Sequence, residues 1–335
     1  MSAPSNLLNS KVIPISVAPM MAYTDRHFRY FLRRLSPSAL LYTEMITAQA
    51  LKHADPARLL EFSDQEHPVV LQLGGSEPAD LAHAARLGAE FGYDEINLNC
   101  GCPSDRVQSG RFGACLMAEP DRVAESVRAM RESVSVPVTV KCRIGIEPRA
   151  EEGDDYAFLA DFVGRIAAEG CSVFVIHARK AVLGGLSPKE NREIPPLQYG
   201  VVARLKADFP DCAFVLNGGI RTVADVRRHL EGFDGVMLGR EVCDNPYILA
   251  ELHRAVVDPA FELPSRESVI EAYAKYVEAR LAEGDPLRSM TRHVLGLYAG
   301  LPRSRSWRRF LSEQANVGQT GPQMLLDSLR IVRAA

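Results

Sequence analysis

Eight short apolar runs recur along most of the chain: Ile15 to Met20, Leu40 to Glu44, Val69 to Leu73, Glu95 to Asn99, Pro137 to Cys142, Val173 to His177, Phe214 to Asn217 and Gly235 to Leu238. Their length and the turn residues around them predict strands. Between them, apolar residues return at helical spacing over Asp25 to Leu35, Pro78 to Phe91, Pro120 to Val134, Asp155 to Glu169, Leu197 to Phe209 and Val223 to Leu230, several opened by Asp, Pro or Thr. Eight strand-helix units over about 240 residues match the size and count of a TIM (β/α)8 barrel. A doubly wound sheet would usually carry a GxGxxG turn after its first strand, and Ala18-Pro19-Met20-Met21 is not one. From about Val256 the pattern changes. Pro259, Pro264 and Ser265 read as a linker, and Glu267 to Glu283 reads as a helix with Val269, Ile270, Tyr273, Tyr276, Val277 and Leu281 on one face. The expectation is an α/β barrel over residues 1–255, followed by a small all-helical C-terminal domain over 256–335.

Composition bounds the class. Hydrophobic residues make up 47% of the chain and charged residues 24%, as in an ordinary soluble globular protein. No run of about 18 apolar residues offers a membrane span, and Met1 to Ser10 lacks an apolar signal segment. The seven cysteines are scattered without CxxC spacing, which argues against a disulfide framework and a structural zinc. A cytoplasmic protein with reduced thiols and no metal is expected. The net charge of -3 gives no general attraction for nucleic acid, so such a partner has to be met by a local patch.

In a barrel the C-terminal ends of the strands carry function. Here those ends read Pro19-Met20-Met21, Glu44, Gln72, Asn97 with Asn99, Lys141 with Arg143, His177 with Arg179, Asn217-Gly218-Gly219, and Gly239-Arg240. Singly, Lys141 reads equally as a solvated strand end and His177 as a hydrogen-bonded core residue. Together, polar ends on separate strands converge on one mouth where a ring system can lie flat. The loops after strands seven and eight often bind phosphate, and Asn217-Gly218-Gly219 and Leu238-Gly239-Arg240 supply unobstructed N–H groups plus one cation. Barrel turns also use Gly for their own sake, but the pair favours phosphate. A phosphate and a flat ring suggest a mononucleotide cofactor. At strand four, Asp94 to Asn99 alternates with a period of two, and Gly101 and Pro103 break the strand into a loop that holds Cys102 at the mouth.

Two connections are long. Residues 179–196 carry Arg179, Lys180, Lys189 and Arg192, suited to phosphates, with Pro195 and Pro196 stiffening the exit. Residues 106–119 follow Cys102 and contain Gly110 and Gly113, where a mobile lid over the thiol would be placed. Near the C-terminus, Asp285 to Phe310 holds six arginines (288, 292, 303, 305, 308 and 309) against one acid, Asp285, a phosphate-binding footprint. The only Trp, Trp307, stacks on a base or anchors its helix; burial statistics favour anchoring.

These residues resemble the tRNA-dihydrouridine synthases, most closely the bacterial A-type subgroup, over nearly the whole chain. The resemblance rests on Ala18-Pro19-Met20-Met21 with Thr24-Asp25-Arg26, Leu41 to Met45, Gln72 to Gly75, Asn97 to Ser104, Phe112 to Met117, Val138 to Lys141, His177-Ala178-Arg179, Lys189 to Pro196, Asn217 to Ile220, and Gly235 to Arg240. It implies a TIM barrel holding FMN, a helical C-terminal domain, and reduction of the C5–C6 bond of uridine in the tRNA D-loop, at position 20/20a, with NADPH as reductant. Carried over by motif, Pro19, Met20, Met21, Gln72, Lys141, His177, Asn217, Gly218, Gly219, Gly239 and Arg240 are expected to bind FMN, and Cys102 to donate the proton. Asn99, Lys189, Arg192, Arg305 and Arg308 are expected to meet tRNA. Cys100 is a departure that puts two thiols in one loop; strand alternation and the Gly-Cys-Pro-Ser match favour Cys102.

The chemistry fits these residue types. Saturating the uracil double bond takes a hydride, which a flavin supplies, and a proton, which the protein supplies. An ordinary thiol, with a pKa of about 8.5, is protonated near neutral pH and can donate. The alternatives are an FMN-dependent dehydrogenase of a free pyrimidine, which leaves the arginine-rich region unexplained, and an RNA-binding protein on a barrel without catalysis.

Overall fold

Eight parallel strands close into a ring in the computed structural model, which describes residues 12–148, 154–315 and 321–333. They are β1 (Ile15–Val17), β2 (Leu40–Tyr42), β3 (Val69–Gly74), β4 (Glu95–Cys100), β5 (Val138–Arg143), β6 (Val173–His177), β7 (Ala213–Asn217) and β8 (Gly235–Leu238). Each pairs with its sequence neighbours, and β1 pairs with β8 to complete the barrel. All eight coincide with apolar runs, so the TIM barrel is the observed architecture. The first two strands end earlier than their runs, at Val17 and Tyr42. Pro19 has no N–H to give the ladder, and the chain turns instead, with Tyr23 and Thr24 donating back to the Met20 carbonyl.

Period-two alternation splits the strand residues into two cores. Outward side chains such as Ile96, Leu98, Val140 and Ile176 pack under α1 (Arg26–Arg33), α2 (Pro78–Glu90), α3 (Pro120–Ser133), α4 (Asp155–Ala168), α5 (Tyr199–Asp208) and α6 (Val223–Leu230). Inward ones form a second, small apolar cluster of Ala18, Tyr42, Val70, Val175, Val215 and Met237. The rest of the interior, on β3 to β5, is polar: Gln72, Asn97, Asn99 and Thr139 are all buried.

The C-terminal part is helical, with α7 (Arg266–Ala282), α8 (Ser304–Gln314) and α9 (Gln323–Arg333). It lies against α1. Tyr276 stacks on Tyr30 at 3.9 Å, Tyr273 meets Phe31 edge-on at 5.3 Å, and His293 stacks on Phe28 at 5.0 Å. Covered by the barrel on one side and these rings on the other, α1 is not the one-sided helix its sequence suggests; every residue from His27 to Arg33 is buried. Arg29 and Arg33 are tolerated there because each is partnered, Arg29 by the Glu66 carboxylate at 2.7 Å and Arg33 by the carbonyls of Ser36, Glu66 and Pro68.

Asp25 joins the two parts chemically. Its carboxylate caps α1 by accepting from the Phe28 N–H, and it pairs with His293 at 2.9 Å and with Arg292. Burial alone would raise its pKa; the bonds and charge of His293, the Phe28 N–H and Arg292 outweigh that and hold it at about 2. A carboxyl depressed in the folded state adds stability that is full above its unfolded value, near 3.8, and fades as pH falls toward about 2. Replacing Asp25 by Asn should therefore lower unfolding stability by about 2 kcal/mol near pH 5, with the gap to the native protein closing between about pH 4 and pH 2. Denaturant titrations across that range check it, and a pH-independent gap would contradict the assignment.

Candidate active site at the barrel mouth

Strand β4 sets the two thiols on different sides of the barrel wall. Asn97 and Asn99 point inward, so Cys100 points outward, where it is fully buried and faces Cys142 on β5. Burial pushes the Cys100 thiol far above its usual range. Cys102 lies two residues on, past the strand end and partly exposed. Its loop is held from both sides. The Asn99 Oδ1 accepts from the N–H groups of Gly101 and Cys102, each at 3.0 Å, and the Cys102 carbonyl accepts from Ala114 N at 2.9 Å. The thiol itself is 3.5 Å from the Ser104 hydroxyl.

The expectation of a lid over this loop is met differently. Within residues 106–119, the 3-10 turn Gly113–Ala118 buries Ala114, Leu116 and Met117 against the core, and its Ala114 N–H meets the Cys102 carbonyl. Gly113 has φ of 73°, and a Cβ there would sit 2.7 Å from the Cys102 carbonyl oxygen. The turn is a support on which the loop rests.

Inward residues at the strand ends bond to one another across the mouth. Gln72 on β3 bonds to Asn97 and Asn99, each at 2.8 Å. Lys141 on β5 donates to Asn217 Oδ1 on β7 at 3.1 Å, and Asn217 in turn donates to the Met237 carbonyl of β8. Burial, then the charge of Arg143, pulls the Lys141 pKa down to about 8, still above neutral, so the ammonium persists. His177, half-buried at the end of β6, has its pKa pulled well below 6.5 first by enclosure in the protein and then by the charges of Arg143, Lys141, Arg179 and Arg192, which favours the neutral ring. Cys102 lies within electrostatic range of Lys141, Arg143 and Arg192.

After β7, Gly218 and Gly219 have φ of 113° and 72°, and a Cβ on them would fall 2.6 Å from His177 and 2.4 Å from Leu197. The fold alone demands both glycines. Gly239, after β8, differs, because a Cβ there would meet nothing within 4 Å. Open space over a backbone at that place suits the close approach of a ligand's anionic end, with Arg240 adjacent. Arg240 is paired with Glu193 at 2.6 Å, which ties the loop after β8 to the one after β6. On the β1 side, Met20 is half-buried and its Sδ lies 3.9 Å from Cys243 Sγ, whereas Met21 is 60% exposed.

The 179–196 connection is ordered by its own bonds. Asn191, fully buried, bonds through its side chain to Val182 and Leu186, and the two-residue strand Ala181–Val182 pairs with Ile146–Glu147. Lys189 and Arg192 are exposed on this loop. The residue that joins it to the thiol loop is Arg143, named in the sequence only as a strand end. Buried, it donates to the carbonyls of Gly101, Lys180 and Asn191 at 2.8 to 3.0 Å. Its inward alternation with Thr139 and Lys141 was the available signal.

Arg305 and Arg308 belong to α8, where both are exposed, while Trp307 between them is fully buried, bonded to the Val294 carbonyl and packed on Tyr298 at 4.6 Å. The anchoring reading of Trp307 is the observed one. Of the six arginines, at least three are engaged within the protein, Arg292 with Asp25, Arg303 with the Ile331 carbonyl and Arg309 with Glu313.

The family profile described as "Dihydrouridine synthase (Dus)" matches residues 16–332. Among relatives, the tRNA-dihydrouridine(20/20a) synthase of Synechocystis sp. is 54% identical over 96% of this chain and 95% of its own length. The protein of the same name from Shewanella oneidensis is 52% identical over 96% and 95%. That from Pseudomonas putida is 56% identical over 89% and 87%. With the profile spanning nearly the whole chain and the identities above one half, the chain belongs to the dihydrouridine synthase family.

Proposed function

We propose that this protein reduces the C5–C6 double bond of uridine in the D-loop of tRNA, at position 20/20a, with FMN in the barrel mouth, NADPH as reductant and Cys102 as proton donor. The relatives' names support the substrate and the position. The observation that carries the chemistry is the placement of a partly exposed thiol within range of Lys141, Arg143 and Arg192, with the rival thiol of Cys100 buried behind the strand.

Bound in this mouth, FMN would supply the hydride for one carbon of the double bond. Gln72 and Lys141 offer hydrogen bonds to its ring system, with the ammonium favouring negative charge there. Neutral His177, Asn217, Gly218 and Gly219 follow along the β6 and β7 ends, and Gly239 and Arg240 lie where a phosphate would end. Pro19, Met20 and Met21 form the β1 side. The Cys102 Sγ gives its proton to the other carbon. The target base has to leave its stack to enter, which a tRNA loop permits more readily than a duplex. Asn99, Lys189 and Arg192 meet the RNA at the mouth, and Arg305 and Arg308 hold it through the helical region of residues 256–335, apart from the catalytic region of 1–255. Work on tRNA fits a cytoplasmic location.

The purified protein should be yellow and bleach under anaerobic NADPH. Cys102→Ala should abolish dihydrouridine formation, scored by mass spectrometry of unmodified tRNA, with flavin content unchanged, whereas Cys100→Ala retains it. Activity in the first variant, or its loss only in the second, would overturn the proton donor; equal turnover of free uridine and tRNA would favour the dehydrogenase of a free pyrimidine. The double variant Arg305→Ala/Arg308→Ala should bind tRNA more weakly and with a flatter salt dependence, its slope reduced by about one to two. An unchanged slope would remove these arginines from the interface.

A further inference from the structure

A single file of hydrogen bonds crosses the barrel interior from the Cys102 loop to the far end of β4. Cys102 N–H donates to Asn99 Oδ1 at 3.0 Å, Asn99 Nδ2 to Gln72 Oε1 at 2.8 Å, Gln72 Nε2 to Asn97 Oδ1 at 2.8 Å, and Asn97 Nδ2 to Thr139 Oγ1 at 2.9 Å. The Thr139 hydroxyl then donates to the Glu95 carboxylate, which also accepts from Tyr42. Every bond points the same way. Gln72, Asn97, Asn99 and Thr139 are each no more than 8% exposed, so water does not readily substitute for a missing partner.

The direction of such a file is a two-state property. A side-chain amide has a donor end and an acceptor end, and turning one amide by 180° sets N–H against N–H or oxygen against oxygen with its neighbours unless all of them turn. The two ends of the file decide the outcome. At the mouth end stand the Gly101 and Cys102 N–H groups, which only donate, and both fall on Asn99 Oδ1. At the far end stands Glu95, whose pKa burial raises to about 7; ionised it only accepts, and protonated it still keeps an acceptor oxygen for the Thr139 hydroxyl. Between them the Thr139 hydroxyl is the one rotor. Take away the acceptor at 95 and that hydroxyl can turn toward Asn97, which leaves the order of the amides held from the mouth end alone.

The order has a chemical consequence at the mouth. With both lone pairs of Asn99 Oδ1 occupied by backbone N–H groups, and one Nδ2 hydrogen given to Gln72, Asn99 has one amide hydrogen left and no acceptor. Anything it bonds at the mouth has to accept. A uracil offers carbonyl oxygens; a cytosine offers an amino group at the position of one of them. We infer that Glu95, at the end of the barrel remote from Cys102, is a positioning residue that fixes Asn99 as a pure donor through Thr139, Asn97 and Gln72, and so biases the mouth toward a carbonyl-bearing pyrimidine. This rests on the proposed reading for the identity of the base, but not for the order of the amides.

The test uses the full-length protein and four variants. Thr139→Val, isosteric, cuts the file in its middle; Glu95→Leu removes the terminal acceptor; Glu95→Gln keeps an acceptor oxygen; and Thr139→Val/Glu95→Leu combines the two cuts. The first readout is the side-chain amide signals of Asn99 in 15N–1H spectra, which need no catalysis. The second is dihydrouridine formation, resolved into kcat and KM for tRNA. Thr139→Val and Glu95→Leu should each displace the Asn99 signals and lower kcat by about two- to tenfold, the size of one lost hydrogen bond, with KM for tRNA unchanged. Glu95→Gln should restore both, and the double variant should be no worse than Thr139→Val alone, as expected of cuts in one file. Unmoved Asn99 signals in Thr139→Val, or losses that multiply in the double variant, would overturn the inference. If Glu95→Leu does not fold, Thr139→Val still decides. An inactive native protein would sink the functional reading, while the Asn99 signals would still judge the order of the amides.

Discussion

Closure of the parallel barrel is the constraint on which everything else depends. Once β1 pairs with β8 and all eight strands run one way, their C-terminal ends meet on one rim, and alternation commits each residue to the inside or the helix layer. That is why Gln72, Asn99, Lys141, His177 and Asn217, scattered across the chain, become neighbours. It is also why Cys100 and Cys102, two residues apart, have unlike surroundings: the strand ends between them, so Cys102 escapes the alternation that buries Cys100.

The interior also departs from the usual apolar filling of such barrels. Half of it is apolar, from Ala18 to Met237, and half carries amides, a threonine and a carboxylate. Buried polar groups are tolerable when they find partners, and each amide here is bonded through both its oxygen and its nitrogen, Asn99 keeping one hydrogen for the mouth. At the rim the same logic acts on charge. Lys141, Arg143 and Arg192 crowd one region, and enclosure together with these charges favours the neutral form of His177. The result is a mouth of positive potential around an uncharged ring.

Much of this was legible in the sequence. The eight runs of apolar residues are the eight strands, because burial on both faces leaves little freedom in residue type. The mouth residues were legible because polar side chains at the ends of apolar strands are conspicuous. What escaped depends on contacts between distant segments. The all-round burial of α1 arises from rings more than 240 positions away, such as Tyr276 on Tyr30, which no local pattern encodes. The support under the Cys102 loop looked like a lid because Gly110 and Gly113 suggest freedom, whereas Gly113 serves close packing. Arg143 reads as any strand-end cation until its three carbonyl partners, from two other loops, are in place.

Trp307, the only tryptophan, is fully buried in the helical region beside Tyr298. The native protein therefore carries a built-in optical reporter on one of its two parts. Indole emission registers loosening of the arginine-bearing helices, while far-ultraviolet dichroism is dominated by the larger barrel. Because α1 is shared by both, through Asp25 and the Tyr30 and Phe31 rings, the two signals are tied together only as firmly as that helix is held. The gap between the two melting curves is then a direct measure of how cooperatively the molecule holds together.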